Sequence, residues 1–345
     1  MKKLAILGAT GLVGQRLVQL LSDHPIFEIS ALAASDNSSG KKYIEAVHWH
    51  LNTPIPDKVK GMVVRDCRPD FEADYVLSAL PSDVAGPIEE ELLAAGYIIF
   101  SNAASHRLDQ NVPIVVPEVN LDHLNLIDSQ KTSGKIVTNP NCSTTGLVMT
   151  LKPIMDRFGL EEIKVVTMQA ISGAGYPGLS SLDIMDNVIP YIKNEEEKIV
   201  TESKKILGEL KGERIEPAGF RLEAQCNRVP VVDGHLLSVF VKTAEKVTLD
   251  EVIKAFEDFK SLKGLKLPTA PEKPVIYWPD PEAPQPRLHR NLGGGLSVSV
   301  GRLIQISGQE IRFVTLVHNT IRGAAGCALL NAEVYDIYFG RRSTN

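Results

Sequence analysis

The sequence predicts an α/β protein of two domains, and three observations carry that expectation. The start, "LAILGATGLVGQRLVQLLS", runs from a short apolar stretch through a glycine turn into an apolar pattern of helical spacing. Apolar runs and helical patterns then keep alternating to about residue 139, the order that builds a mostly parallel sheet with helices on both faces. After residue 140 the texture changes, and longer strands mix with a charged helix. At 345 residues the length suits about two domains.

Each element follows from its local pattern. "LAILG" reads as a buried strand and residues 12–22 as a helix. Residues 28–35, 74–80 and 97–102 are further strands, and "PIEEELLAAG" (87–96) is a helix closed by glycine. "KIVTN" ends a strand at Asn139, and the apolar run to Phe158 is a helix with a kink at Pro153. Residues 162–172 and 235–243 are longer strands, with a charged helix over 194–210. The proline-rich stretch 268–286 predicts an extended surface connection, and "LSVSVGRL" and "IRFVTLVHN" an antiparallel pair. The last helix, "TIRGAAGCALLNAEVYDIYF", is rich in small residues at its start. It is expected to return to the first sheet, which needs helical cover on both faces. The expected division is 1–139 with 320–345, a Rossmann-like dinucleotide-binding domain, and 140–319, an α+β domain with a mixed sheet.

Composition narrows the function classes. A net charge of −5 argues against nucleic-acid partners, which favour a basic face. No apolar run reaches the roughly 20 residues of a membrane span. The glycine-broken N-terminus without a cleavage site reads as the first strand of a cytoplasmic protein. Cys67, Cys142, Cys226 and Cys327 lie far apart without a CxxC pair, so neither a disulfide framework nor a metal site is expected.

"GATGLVG" places Gly8, Gly11 and Gly14 three apart, an approximate match to a dinucleotide fingerprint. Glycines let backbone approach a pyrophosphate, and the helix opening at Leu12 and Val13, after Thr10, offers unpaired N–H groups. Such a turn also occurs as packing alone. The second strand ends in "AASDNSSGKKY", where Asp36 argues for NAD and Ser35, Ser38 and Lys41 argue for NADP.

"TNPNCSTTGL" puts Cys142 at a helix start. Pro140 marks a sharp exit from the strand, and Ser143, Thr144 and Thr145 are residue types that cap helices. The helix dipole and free amides there are expected to lower the thiol pKa by several units and to hold an oxyanion. The plainer alternative is a small residue at a tight turn. A thiolate beside a nicotinamide suits one chemistry. It adds to an aldehyde, hydride leaves to NAD(P)⁺, and phosphate, water or coenzyme A releases the thioester. A histidine is the natural base. His24, His48, His50 and His123 lie in polar parts of the first domain, and His289 in the loop-like stretch. His106 near a strand end, His318 before the last helix and His235 after Gly234 are the better placed candidates.

With these pieces placed, the chain resembles the aspartate-semialdehyde dehydrogenases of archaea and fungi. "GATGLVGQ", "NAASHR", "VPIVVPEVN", "NPNCSTTGL", "QAISGAGYPG", "NEEEK", "NRVPVVDGH" and "HNTIRGAAG" come in the family's order nearly end to end. The resemblance implies reduction of L-4-aspartyl phosphate to L-aspartate 4-semialdehyde with NADPH, on the route to lysine, threonine, methionine and isoleucine. It implies Cys142 as the acyl-thioester nucleophile, His235 as the acid/base and Gln169 as the residue orienting substrate near the sulfur. Arg228 would pair with the substrate carboxylate and Glu195 with its amino group; Lys198, Arg107 and Asn141 would form the phosphate site. Ser172, Gly173 and Asn319 would approach the cofactor, with Gly8, Thr10, Gly11, Leu12, Val13, Ser35 and Ser38. Asp36 departs from the basic residue this branch often carries nearby, so NADP is implied with NAD possible. Homodimers or homotetramers built through the second domain are implied as well. Taken alone, Glu195 and Lys198 also read as an exposed pair on a charged helix. A related CoA-thioester reductase of the malonyl-CoA type is the alternative, but it gives Glu195 no amino group to bind.

Overall fold

The computed structural model describes residues 1–259, 262 and 265–340, so 341–345 of the expected first domain lie outside the described residues. The first sheet holds β1 (Lys2–Leu7), β2 (Phe27–Ala33), β3 (Tyr75–Ser78), β4 (Ile98–Ser101) and β5 (Lys135–Thr138). Its order is β2-β1-β3-β4-β5, and every pairing is parallel. Successive side chains of β1 enter opposite cores. Leu4 and Ile6 meet α1 (Leu12–Leu21) through Leu17 and Val18, whereas Ala5 and Leu7 meet α2 (Ser82–Ala94) through Leu92 and Leu93. This is the period-two alternation of a strand buried on both faces.

The helix expected over 87–96 starts five residues earlier, at Ser82, and contains Pro87. Pro81, in extended conformation, stands at its N-cap, and burial of Ala85, Glu89, Leu92 and Leu93 offsets the cost of an internal proline.

Beyond β5 comes α3 (Cys142–Phe158), then β6 (Glu162–Gln169), α4 (Glu195–Ile206) and a small hairpin of β7 (Glu209–Lys211) and β8 (Arg214–Glu216). β9 (Arg221–Arg228), β10 (His235–Lys242), α5 (Leu249–Glu257), β11 (Val275–Trp278), β12 (Val298–Gln305) and β13 (Glu310–Val317) follow. The second sheet runs β11-β12-β13-β10-β6-β9 and is mixed, with β6–β9 and β11–β12 parallel and the other pairs antiparallel. The stretch expected as an extended connection thus contains an edge strand. "VIYW" itself holds no proline, and the flanking prolines are tolerated because the strand pairs on one side only.

Helices α3, α4 and α5 cover one face of this sheet, where Ile163, Val165, Leu237, Val239, Ile311 and Phe313 form a shared core. On the opposite face the alternate residues Val166 and Phe240 remain 37% and 39% exposed.

The last segment returns to the first sheet, as that sheet's need for helical cover on both faces predicts. Gly323 N–H bonds the carbonyl of His318 (3.0 Å) and Ala325 N–H that of Thr320 (3.3 Å), a wide i→i+5 turn. Helix α6 (Gly326–Tyr338) then packs through Leu329 and Leu330 on the β1–α1 core. The fully buried Arg322 guanidinium pins the turn with two bonds to Glu118, 2.8 and 2.5 Å. Among the described residues, no helix is long and apolar enough to cross a membrane.

Candidate active site

The glycine turn after β1 lies where strand order reverses, with β2 on one side of β1 and β3 on the other. Open parallel sheets bind dinucleotides at that position. Gly8 sits at φ +70°, and a Cβ on it would stand 2.5 Å from the carbonyl oxygen of Ala79; one on Gly14 would stand 2.2 Å from the Gly8 oxygen. Both positions therefore require glycine. Gly11 caps α1 and no side chain bonds to its first turn, so the amides at Leu12 and Val13, beside Thr10, suit a pyrophosphate. Ser35 and Ser38 lie in the turn after β2, closed by the Ser38 N–H on the Ser35 carbonyl (2.8 Å). Lys41 Nζ bonds the Asn37 carbonyl at 2.7 Å, and Asp36 is exposed.

Cys142 opens α3, as the sequence implies, but its cap is Asn141. The Asn141 Oδ1 accepts the amides of Ser143 (2.9 Å) and Thr144 (3.2 Å), and Thr145 Oγ1 donates back to the Asn141 carbonyl (3.1 Å). The Ser143 and Thr144 hydroxyls cap nothing. Gly323 closes over the cysteine so tightly that a Cβ there would come within 2.6 Å of Cys142 Cβ.

Three strand ends bring the remaining chemistry to this point. Gln169 and Arg228 are directly paired at the ends of β6 and β9, and His235 opens the neighbouring β10. All three side chains are buried. His235 Nε2 lies 3.1 Å from Cys142 Sγ. Its Nδ1 accepts the Ala170 N–H at 3.0 Å, so the neutral ring carries its proton on Nε2, facing the sulfur. Arg228 donates to the Ala170 carbonyl (2.7 Å), and a Cβ on Gly173 would stand 2.9 Å from its guanidinium. Gln169 Nε2 donates to Thr167 Oγ1 (3.2 Å). Asn319 accepts the Gly234 N–H and donates to Ser172 Oγ, both at 2.8 Å.

The electrostatics overturn one expectation. Burial, with Glu195 adding to it, pushes the Cys142 thiol up to about 12, against weaker opposing pulls from Arg228, Arg107 and the Ser143 amide. Although Cys142 keeps some accessible surface, desolvation of the sulfur decides the balance. Burial holds His235 well below the ordinary imidazole value, helped by Arg228 and His318. The free protein therefore holds a neutral thiol beside a neutral imidazole. The helix start fails to make a resting thiolate because desolvation of the buried sulfur outweighs the pull of the Ser143 amide.

Helix α4 faces the same point. Asn141 Nδ2 donates to Glu195 Oε1 (2.7 Å), and Lys198 Nζ stands 4.0 Å from Glu195 Oε2. Glu195 is only 7% exposed, which rules out its reading as half of a solvated surface pair. Arg107 Nη1 donates to Glu202 Oε1 (2.9 Å) and its Nη2 to the Asn102 carbonyl (2.7 Å). Sequence reasoning missed Glu202. Its spacing from Glu195 and Lys198, seven and four residues, places it on their helical face and is the signal that could have found it. Of the other histidines, His106 is held by Asp109 (2.9 Å) and His24 by Glu333 (2.7 Å). Among the described residues, no group of three or more histidine, cysteine or acidic side chains is arranged to hold a metal ion.

Comparison with known proteins gives a consistent answer. Two family models match, "Semialdehyde dehydrogenase, NAD binding domain" over residues 3–127 and "Semialdehyde dehydrogenase, dimerisation domain" over residues 151–322. The aspartate-semialdehyde dehydrogenase of Archaeoglobus fulgidus is 48% identical over 334 residues, covering 95% of this chain and 96% of its own. That of Schizosaccharomyces pombe is 47% identical over 350 residues, covering 96% of this chain and 97% of its own. The crystal structure of aspartate semialdehyde dehydrogenase with NADP from Candida albicans matches with a TM-score of 0.90 at 40% identity, over 97% of this chain and 98% of that one. These relatives give the CoA-thioester alternative no support. By sequence over nearly its whole length and by fold, the chain belongs to the aspartate-semialdehyde dehydrogenase family.

Proposed function

We propose that this protein reduces L-4-aspartyl phosphate to L-aspartate 4-semialdehyde through a thioester on Cys142, with NADP as its cofactor. The observation that carries the reading is the Cys142–His235 pair at 3.1 Å, set at a helix start and flanked by two buried arginines. Arg228, with its planar fork, takes the substrate carboxylate, and Glu195 takes the ammonium group. Arg107, Lys198 and the Asn141 side chain take the phosphate. Gln169 orients the acyl group beside the sulfur.

The neutral thiol sets how charge moves. Cys142 Sγ bonds to the acyl carbon, the carbon–oxygen bond to phosphate breaks, and the thiol proton leaves with the phosphate. Bound NADPH supplies the hydride for the reduction. His235 Nε2–H faces the place where negative charge gathers, first on the oxygen and then on the departing sulfur. After the carbon–sulfur bond breaks, His235 relays a proton from solvent to the Cys142 thiolate.

Gly8, Thr10, Gly11, Leu12 and Val13 would hold the pyrophosphate, and Ser172, Gly173 and Asn319 the nicotinamide end. Ser35 and Ser38 would meet the 2′-phosphate, with Asp36 leaving some use of NAD. We take residues 1–139 with 320–345 as one domain and 140–319 as the other; the core that unites α6 with β1 and α1 supports placing the last helix with the first domain. The bare sheet face that exposes Val166 and Phe240 supports a homodimer, or a tetramer of two, formed through the dimerisation region. The test is phosphate-dependent reduction of NADP⁺, and separately NAD⁺, by aspartate semialdehyde. Turnover by the parent, loss of at least about 10³-fold in Cys142→Ala and a preference for NADP⁺ are expected. Absence of turnover with both cofactors would sink the proposal.

A further inference from the structure

We infer that Glu202 is the positioning residue of the phosphate site, joining the arginine that meets phosphate to the start of the nucleophile's helix. The inference rests on the functional reading above. Glu202 is 2% exposed and divides its carboxylate between two donors. One oxygen accepts Arg107 Nη1 at 2.9 Å and the other accepts the Asn141 backbone N–H at 2.5 Å. A carboxylate used in this way fixes the spacing between a guanidinium and the residue that precedes Cys142.

The same helix holds Arg107 from a second direction. Lys205, three residues on, donates from Nζ to the carbonyls of Arg107 (2.7 Å), Asp109 (2.8 Å) and Val112 (2.8 Å). Thus α4 grips the Arg107 backbone through Lys205 and its side chain through Glu202. With Nη2 on the Asn102 carbonyl, the guanidinium is restrained on two of its nitrogens, while its buried Nε has no partner in the protein. An anion is the chemistry that satisfies such a donor. Glu202 also sets a counter-charge beside the buried Arg107 guanidinium before the anion arrives.

Glutamine matches glutamate in shape but has a single acceptor atom. In Glu202→Gln, either Arg107 or the Asn141 amide must face an NH₂ group. The test uses inorganic phosphate as the probe and calorimetry as the readout, so that turnover is not required. Glu202→Gln is expected to weaken phosphate binding by about tenfold or more, the scale of a lost charge-assisted hydrogen bond. The phosphate KM should rise with it, while the KM for NADP⁺ and for semialdehyde move less than about threefold. In an Arg107→Lys background the same change should weaken phosphate by less than about threefold, because the fork it aligns is gone. Glu202→Asp keeps both acceptors and should retain part of the affinity; it carries the same cycle if the glutamine variant does not fold.

Unchanged phosphate binding in Glu202→Gln, or an equal loss with and without Arg107, would overturn the inference. So would a parent protein that binds no phosphate. Phosphate binding without turnover would instead sink the enzymatic reading and leave Glu202 in place.

Discussion

Cys142 shows how far a residue's neighbours can reverse what its position in the chain suggests. Pro140 and the apolar run that follows are enough to place it at a helix start, because both signals are local. Its protonation depends first on burial of the sulfur by the assembled fold and then on Glu195, more than 50 residues away. Those contacts have no local signature. With the thiol pushed up to about 12, alkylation of Cys142 by iodoacetamide in the free protein should rise about tenfold per pH unit from 7 to 10, without a plateau. Rates measured against Cys142→Ala check this, and a plateau below pH 8 would mean that the thiolate forms readily. His235 was one of several histidines open to the role on sequence alone. What separates it is strand pairing, which sets it beside Gln169 and gives its Nδ1 the Ala170 amide.

Elements were readable where their pattern is self-contained and misread where a partner supplies the stabilisation. The parallel strands announce themselves as apolar runs, but β11 hides among prolines because β12, more than 20 residues later, provides its hydrogen bonds. The early start of α2 is hidden likewise, since its buried residues pay off only once Ala5 and Leu7 lie beneath them. Helix α4 carries Glu195, Lys198 and Glu202 at helical spacing on one face, and only Glu202 of the three went unread in the sequence. The wide turn before α6 gives a prediction at this scale. Its clamp, Arg322 on Glu118, is fully buried on both sides. Glu118→Gln should leave the guanidinium uncompensated and cost about 3–5 kcal/mol, read as a lower midpoint in denaturant. Replacing both residues by methionine should recover most of that loss, since the desolvation penalty disappears with the charges.

For the whole molecule, the two-part organisation was legible because alternation of strand and helix runs over more than a hundred residues. The cofactor's 2′-phosphate contacts were not, because Asp36, Ser38 and Lys41 compete within one short turn and Lys41 is tied to Asn37. Stability against pH is also a property of the whole. Burial lowers His318 to about 4, with Arg16 and Arg290 adding to the effect against Asp233, and it lowers His235 as well. Both therefore favour the fold above the ordinary imidazole value of about 6.5 and withdraw that support as pH falls towards 4. The melting temperature should fall steeply between pH 6.5 and 4, and His318→Gln should flatten the slope by up to about 3 kcal/mol. An equal slope in the variant would remove His318 from the account. The closure of Gly323 over Cys142 has a consequence in time. Translation adds Gly323 about 180 residues after Cys142, roughly ten to forty seconds later at ordinary elongation rates. Through that interval the nascent chain holds out a thiol without Gly323 over it, so a ribosome paused late in the message leaves the cysteine more open to oxidants than the half-covered thiol of the finished protein.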